Sequence, residues 1–199
     1  MHRRCSGGRV GRRVSGKTGD TPVSTFGFTI VEVLVVMVII LVLAGLVLAT
    51  SSYVHKKGAR SRAEAEIAAI SAALENYKAD NGIYPPAPML DPRTQGDPSQ
   101  QIYNDSSLLL YTAVSGDSNL DRQPELTSYM SFKPNQLGSN DQASLVAFLK
   151  DPFGYSYGYS TAGQTGGTAG YNPTFDLWST GGVASTSNPP NQAQWIKNW

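Results

Sequence analysis

Apolar positions are distributed very unevenly along this chain. From Val33 to Ala49, 17 consecutive residues carry no polar side chain. Phe28–Ala49 would reach roughly 33 Å as a helix, enough for a bilayer core of about 30 Å. The β-branched residues in it do not oppose a helix, because a single segment in lipid can pair its backbone only that way. Beyond this run, Ala63, Ile67, Ile70, Leu74 and Tyr77 recur at alternating steps of four and three, which is one helix stripe. Glu64, Ser71, Glu75 and Lys78 occupy other faces, and five alanines between 65 and 73 keep helix propensity high. No proline interrupts Phe28–Tyr84. The pattern predicts a transmembrane helix over 28–52 that continues as an amphipathic helix over 53–84. It should end at Asp80-Asn81-Gly82, where glycine favours a stop and Pro85-Pro86 forbids continuation.

The remainder is punctuated differently. Residues 85–150 are rich in Pro, Asp, Ser and Gln and read as a variable loop region, with apolar clusters at Leu108–Tyr111 and Tyr129–Phe132 that are compatible with short helices or turns. Ser144–Phe148 is expected to form a short helix. Over 151–199, Asp151-Pro152-Phe153-Gly154 marks a turn, and Tyr155, Tyr157 and Tyr159 alternate like one face of a strand. Gly163–Gly170 reads as a flexible tip and Thr174–Ser179 as a second strand. Trp195, Ile196 and Trp199 close a tail expected to tuck back. The expected class is α+β, a long N-terminal helix packed on a small antiparallel sheet.

Charge sharpens this reading. Residues 1–27 hold Arg3, Arg4, Arg9, Arg12, Arg13 and Lys17 against Asp20 alone, whereas 28–199 hold 10 Lys/Arg against 14 Asp/Glu. A mildly acidic body offers no footprint for nucleic acid. The basic leader holds the N-terminus on the cytoplasmic side, although Lys56, Lys57, Arg60 and Arg62 follow the apolar run. Those four can meet anionic headgroups, or pair with Glu64 and Glu66 of neighbours. Cys5 is the only cysteine, so the body has neither a disulfide nor thiol chemistry. With His2 and His55 the only histidines, no zinc set or Ser-His-Asp triad can be built in the body. Asp117-x-Asn119-x-Asp121 copies the opening of a calcium loop but lacks the following Gly (Arg122) and the twelfth-position Glu (Ser128). It is read as a polar loop, with Asp117, Asn119 and Asp121 only weak calcium candidates and no metal or other cofactor expected. The Gly-rich 163–170 stretch lacks a phosphate-loop ending. Tyr77, Tyr84, Tyr155, Tyr157, Tyr159, Trp178 and Trp195 are read as core aromatics rather than a ligand platform.

Glu32 is the exception within the apolar run. An ionisable group at the edge of a spanning helix is costly and points to function through a partner. A secretory signal ending at Val47-Leu48-Ala49 is the competing reading, but the run is too long and gives Glu32 no role.

Taken together, Gly27-Phe28-Thr29-Ile30-Val31-Glu32 with the apolar run behind it, ALENYKADNGIYP (73–85), DPFGYSYGY (151–159), FDLWSTGG (175–182) and the terminal WIKNW resemble type IV pilin-like proteins. The likeness is greatest to the major pseudopilins of type II secretion systems; nothing in 86–150 maps onto the family. The resemblance implies a pilin-like fold and removal of leader 1–27 by a prepilin peptidase that cuts between Gly27 and Phe28 and methylates the new Phe28 amine. It also implies that Glu32 neutralises the Phe28 amine of the adjacent subunit and so sets register in a helical homopolymer.

Further implied partners are an inner-membrane assembly platform, a separate secretion ATPase and minor pseudopilins. Placement would be single-pass in the inner membrane with a periplasmic C-terminal domain, followed by a periplasmic filament; the subunit itself would not be an enzyme. Type IV pilus subunits, for adhesion or DNA uptake, and a membrane-anchored binding module are the alternatives. Two departures stand out. The anchor lacks the proline many relatives carry near Ala49, leaving Gly45 as its weak point. The C-terminal loop in which major pseudopilins bind calcium corresponds here to Gly181–Trp195, which has no acidic residue.

Overall fold

The computed structural model describes residues 27–87, 89–139, 145–166 and 168–199, with the backbone alone described at 49–52 and 165. The expected leader, up to residue 26, lies outside these. The chain divides into two compact units, Met1–Val47 and Leu48–Trp199. Helix α1, Ile30–Asn81, contributes to both. In the second unit its stripe is buried: Ala63, Ile67, Ile70 and Leu74 are at most 5% exposed. Tyr77 is half-buried and meets Tyr129 edge-on at 5.5 Å. The helix stops where the Gly82 N–H donates to the Lys78 carbonyl at 2.7 Å and Gly82 adopts φ 79°. That left-handed cap carries almost no steric cost only for glycine.

The segment 85–150, read from the sequence as a loop region with short helices or turns at its apolar clusters, contains helix α2, Gln101–Ser115, a 15-residue element around the Leu108–Tyr111 cluster. Tyr103, Ser107, Leu110, Tyr111 and Val114 form its buried face. Two of its serines serve the core: the Ser106 hydroxyl donates to the Tyr159 carbonyl, and Ser107 Oγ accepts from the Leu149 N–H. Strands β1 (Leu137–Gly138) and β2 (Phe148–Leu149) pair antiparallel. The short helix expected at Ser144–Phe148 is therefore not formed. Ser144 is outside the described residues, Leu145–Ala147 are irregular, and Phe148 lies in β2. The Val146 and Ala147 N–H groups donate to the carbonyls of Leu120 and Gly138, partners distant in sequence that override local helical preference.

Strands β3 (Gly158–Ser160), β4 (Asp176–Ser179) and β5 (Ile196–Lys197) form a second, antiparallel sheet in that order. Tyr159 lies opposite Leu177, and Ser179 opposite Ile196. Gly158 faces Trp178, and a Cβ there would fall inside the indole, so the strand crosses the ring only because this residue is glycine. The strand begins later than Tyr155 because Asp151 ties the preceding residues into a turn. Its Oδ1 accepts from the Phe153 and Tyr155 N–H groups, each at 2.9 Å, and its Oδ2 from the Ser179 hydroxyl at 2.5 Å.

Both faces of β3 and β4 are buried. The expected flexible tip is instead built around a 3-10 turn, Ala162–Thr165, with the Gly170 N–H bonded to Asp91. Of the aromatics expected in the core, Tyr77 and Tyr155 are only half-buried and the other five are buried. Tyr84, Tyr157 and Tyr159 pack with α1 and α2, and Tyr103, Trp178 and Trp195 form a second cluster in which the two indoles stack at 5.8 Å. This is the α+β architecture expected from the sequence.

Candidate assembly site

In the first unit, backbone and side chains follow from one requirement: a helix start in an apolar segment must satisfy its unpaired N–H groups. Thr29 and Glu32 do this reciprocally. Glu32 Oε2 accepts from the Thr29 N–H and the Thr29 hydroxyl, both at 2.9 Å, while Thr29 Oγ1 accepts from the Glu32 N–H at 3.3 Å. This is a capping box, and sequence reading missed it although the Thr-x-x-Glu signal was present. Gly27 and Phe28 precede it, both exposed, Phe28 at 83%. The bond between Gly27 and Phe28 is thus outside the helix, and the Glu32 carboxylate lies one helical turn in.

From Val33 to Leu48 the large apolar side chains are 46–75% exposed. Among the described residues, this is the one helix long and apolar enough to cross a membrane. Such a surface is stable only in lipid or against other apolar surfaces. Helix α1 continues through Gly45, where a Cβ would meet nothing within 4 Å.

The basic residues after the apolar run are partly engaged within their own chain. Arg60 pairs with Glu64 at 3.3 Å and donates to the carbonyls of Gln194 and Trp195. Glu66 accepts from the Tyr157 hydroxyl at 2.7 Å. Arg60 therefore pins the tail to the helix, and neither Glu64 nor Glu66 waits bare for a neighbour.

The three weak calcium candidates lie in the second unit, in the loop after α2. Asp117 is buried and Asp121 exposed. Asn119 turns its side chain to Asp121, donating to the carboxylate at 3.2 Å and accepting from the Asp121 N–H at 3.0 Å. The carboxylate that joins Asp117 and Asp121 is Glu125, which the motif did not include.

The chain is 33% identical over 125 residues to the type II secretion system core protein G of Pectobacterium carotovorum subsp. carotovorum, covering 60% of this chain and 74% of that one. With its counterpart from Aeromonas hydrophila it shares 30% over 123 residues, 60% of this chain and 80% of the relative. The Pseudomonas aeruginosa protein of the same name is 28% identical over 173 residues, 87% of this chain and 94% of its own. No protein-family model and no solved structure matches. Identity of this degree, over 74% and 80% of the length of the first two relatives, makes the chain a member of the type II secretion system core protein G family.

Proposed function

We propose that this chain is the structural subunit of a type II secretion pseudopilus, a helical homopolymer that drives export of folded proteins. The observation that carries the reading is the exposed apolar surface of α1 with one carboxylate at its start, in a chain of the core protein G family. In lipid that surface gains little from association, because acyl chains are as apolar as Leu and Val. Recognition must then come from the polar end, where Glu32 exchanges its own Thr29 donors for the Phe28 amine of the next copy. Once subunits leave the bilayer, each buried Val, Leu or Ile contributes roughly 1.5–3 kcal/mol, so the stem packs against other stems. Head-to-tail repetition of one contact generates an open helix rather than a ring.

Within this function the Gly27–Phe28 bond is the processing site of a prepilin peptidase. The unprocessed chain sits in the inner membrane with its C-terminal domain periplasmic. A separate ATPase, an assembly platform and minor pseudopilins complete the machine, and the chain acts without catalysis of its own. The test is a strain lacking this chain. Export of type II substrates should stop, return with the wild-type chain, and fail to return with a chain lacking 30–47; undiminished export without the chain would sink the proposal.

A further inference from the structure

The loop that follows α2 gathers three carboxylates for which the pseudopilus has no use. One carboxylate oxygen from each of Asp117, Asp121 and Glu125 lies within 4.8 Å of the others. Oxygens around a single calcium ion, bound at about 2.3–2.6 Å, are at most about 5 Å apart, so these three fall within one coordination sphere. The grouping is built by the backbone. Gly116 caps α2 in the left-handed conformation, and its carbonyl accepts from both the Glu125 and Leu126 N–H groups, doubling the loop back on itself.

Asp117 sets this cluster apart from an ordinary acidic loop. It is 1% exposed, its Oδ2 accepts from the Tyr111 hydroxyl at 2.6 Å and the Arg122 N–H at 2.7 Å, and its Oδ1 is buried without any hydrogen-bond partner. A buried carboxylate oxygen left without a donor is costly and calls for a cation or proton. Two more carboxylates lie beside it, and the C-terminal end of α2, the negative pole of the helix, adds to the same field. Arg122 carries the nearest cation in sequence, yet no ion pair joins it to these carboxylates among the described residues.

We infer that Asp117, Asp121 and Glu125 form a calcium site at the C-terminal end of α2. Three carboxylates, one rigid and two exposed, suit the flexible oxygen coordination of calcium better than the octahedral, largely hydrated demands of magnesium. Loop carbonyls and water complete the shell. The site is distinct from the acid-free 181–195 loop, and it would add to the bonds that hold this segment to the end of α2, which run through the Gly116 and Val114 carbonyls and join Asp117 to Tyr111 and Ser115.

Terbium luminescence on the full chain in mild detergent tests this, because Tyr111, bonded to Asp117, would sensitise an ion bound there. Wild-type chain should show tyrosine-sensitised emission that calcium displaces with a dissociation constant in the range of about 10⁻⁴–10⁻³ M, while magnesium displaces it at least tenfold more weakly. Asp121→Asn with Glu125→Gln leaves the buried Asp117 and the fold in place, and should weaken calcium binding by at least about tenfold. Absence of binding by the wild type, equal displacement by magnesium, or unchanged calcium affinity in the double variant would each overturn the site. The last result would put the ion elsewhere on the chain.

Discussion

Replacing Glu32 by Gln and by Ala separates two roles that its geometry superposes. In the isolated subunit the carboxylate accepts two hydrogen bonds from Thr29, both at 2.9 Å. Gln keeps an acceptor oxygen in the same place and preserves the capping box; Ala loses it, at roughly 1 kcal/mol. Neither loss threatens a helix of 52 residues, and both changes remove a charge that resists insertion, so membrane insertion and processing should survive in both variants. In the filament the effects converge. With no carboxylate to meet it, the Phe28 amine of the next copy becomes an uncompensated charge in an apolar stack, at a cost of about 3–5 kcal/mol per contact.

Each 1.4 kcal/mol is tenfold, so subunit addition should weaken by about two to four orders of magnitude in both variants. Sheared-filament yield and electron microscopy, beside a blot for the processed chain, read the two steps separately. Both variants should be processed and both should fail to assemble. Wild-type filament yield from Glu32→Gln would refute the charge-pairing argument and leave Glu32 as a helix cap.

Three further outcomes are expected. Mass spectrometry of the assembled chain should find a methylated Phe28 as the first residue; an intact leader, or a start at Thr50, would contradict the processing assignment. Burial pushes the phenols of Tyr103, Tyr157 and Tyr159 well above their ordinary range. Their stabilising effect is complete below the unfolded-state value of about 10 and is lost as pH rises beyond it, by up to about 1.4 kcal/mol per unit for each. Alkaline unfolding followed by tryptophan emission should therefore steepen above that pH, and a flat profile would count against the buried geometry. Asp151→Ala strands the three donors now bound to its carboxylate and should cost about 2–5 kcal/mol in urea denaturation, whereas Asp151→Asn, which retains Oδ1, should cost clearly less.

Long-helix signals were the most legible. The stripe from Ala63 to Leu74 is visible because its large apolar residues recur on one face while alanines and polar residues fill the others, and Gly82 ends α1 by a purely local rule. Helix α2 was obscured by its own core face, where Ser106 and Ser107 occupy buried positions and find partners in β3 and β2 that no local pattern announces. Two strands were legible, β3 within the alternating tyrosines and β4 within Thr174–Ser179, but the start of β3 depended on Asp151, a residue that reads as a simple turn former, and the two-residue strands β1, β2 and β5 are too short to leave a pattern. Of the residues proposed for assembly, Glu32 stands out in the sequence as the one carboxylate in the apolar run, while its reciprocal bonds with Thr29 follow the Thr-x-x-Glu spacing of a capping box. Glu125 joins Asp117 only because the Gly116 carbonyl folds the loop back, a long-range consequence of the backbone.

In the proposed filament, assembly is decided by where the Glu32 carboxylate goes when subunits meet. A cryo-electron microscopy map of the filament, at a resolution that places side chains, should show it released from Thr29 and within about 4 Å of the Phe28 amine of the adjacent subunit. A map in which Glu32 remains in its own capping box, with every Phe28 amine elsewhere, would contradict the account.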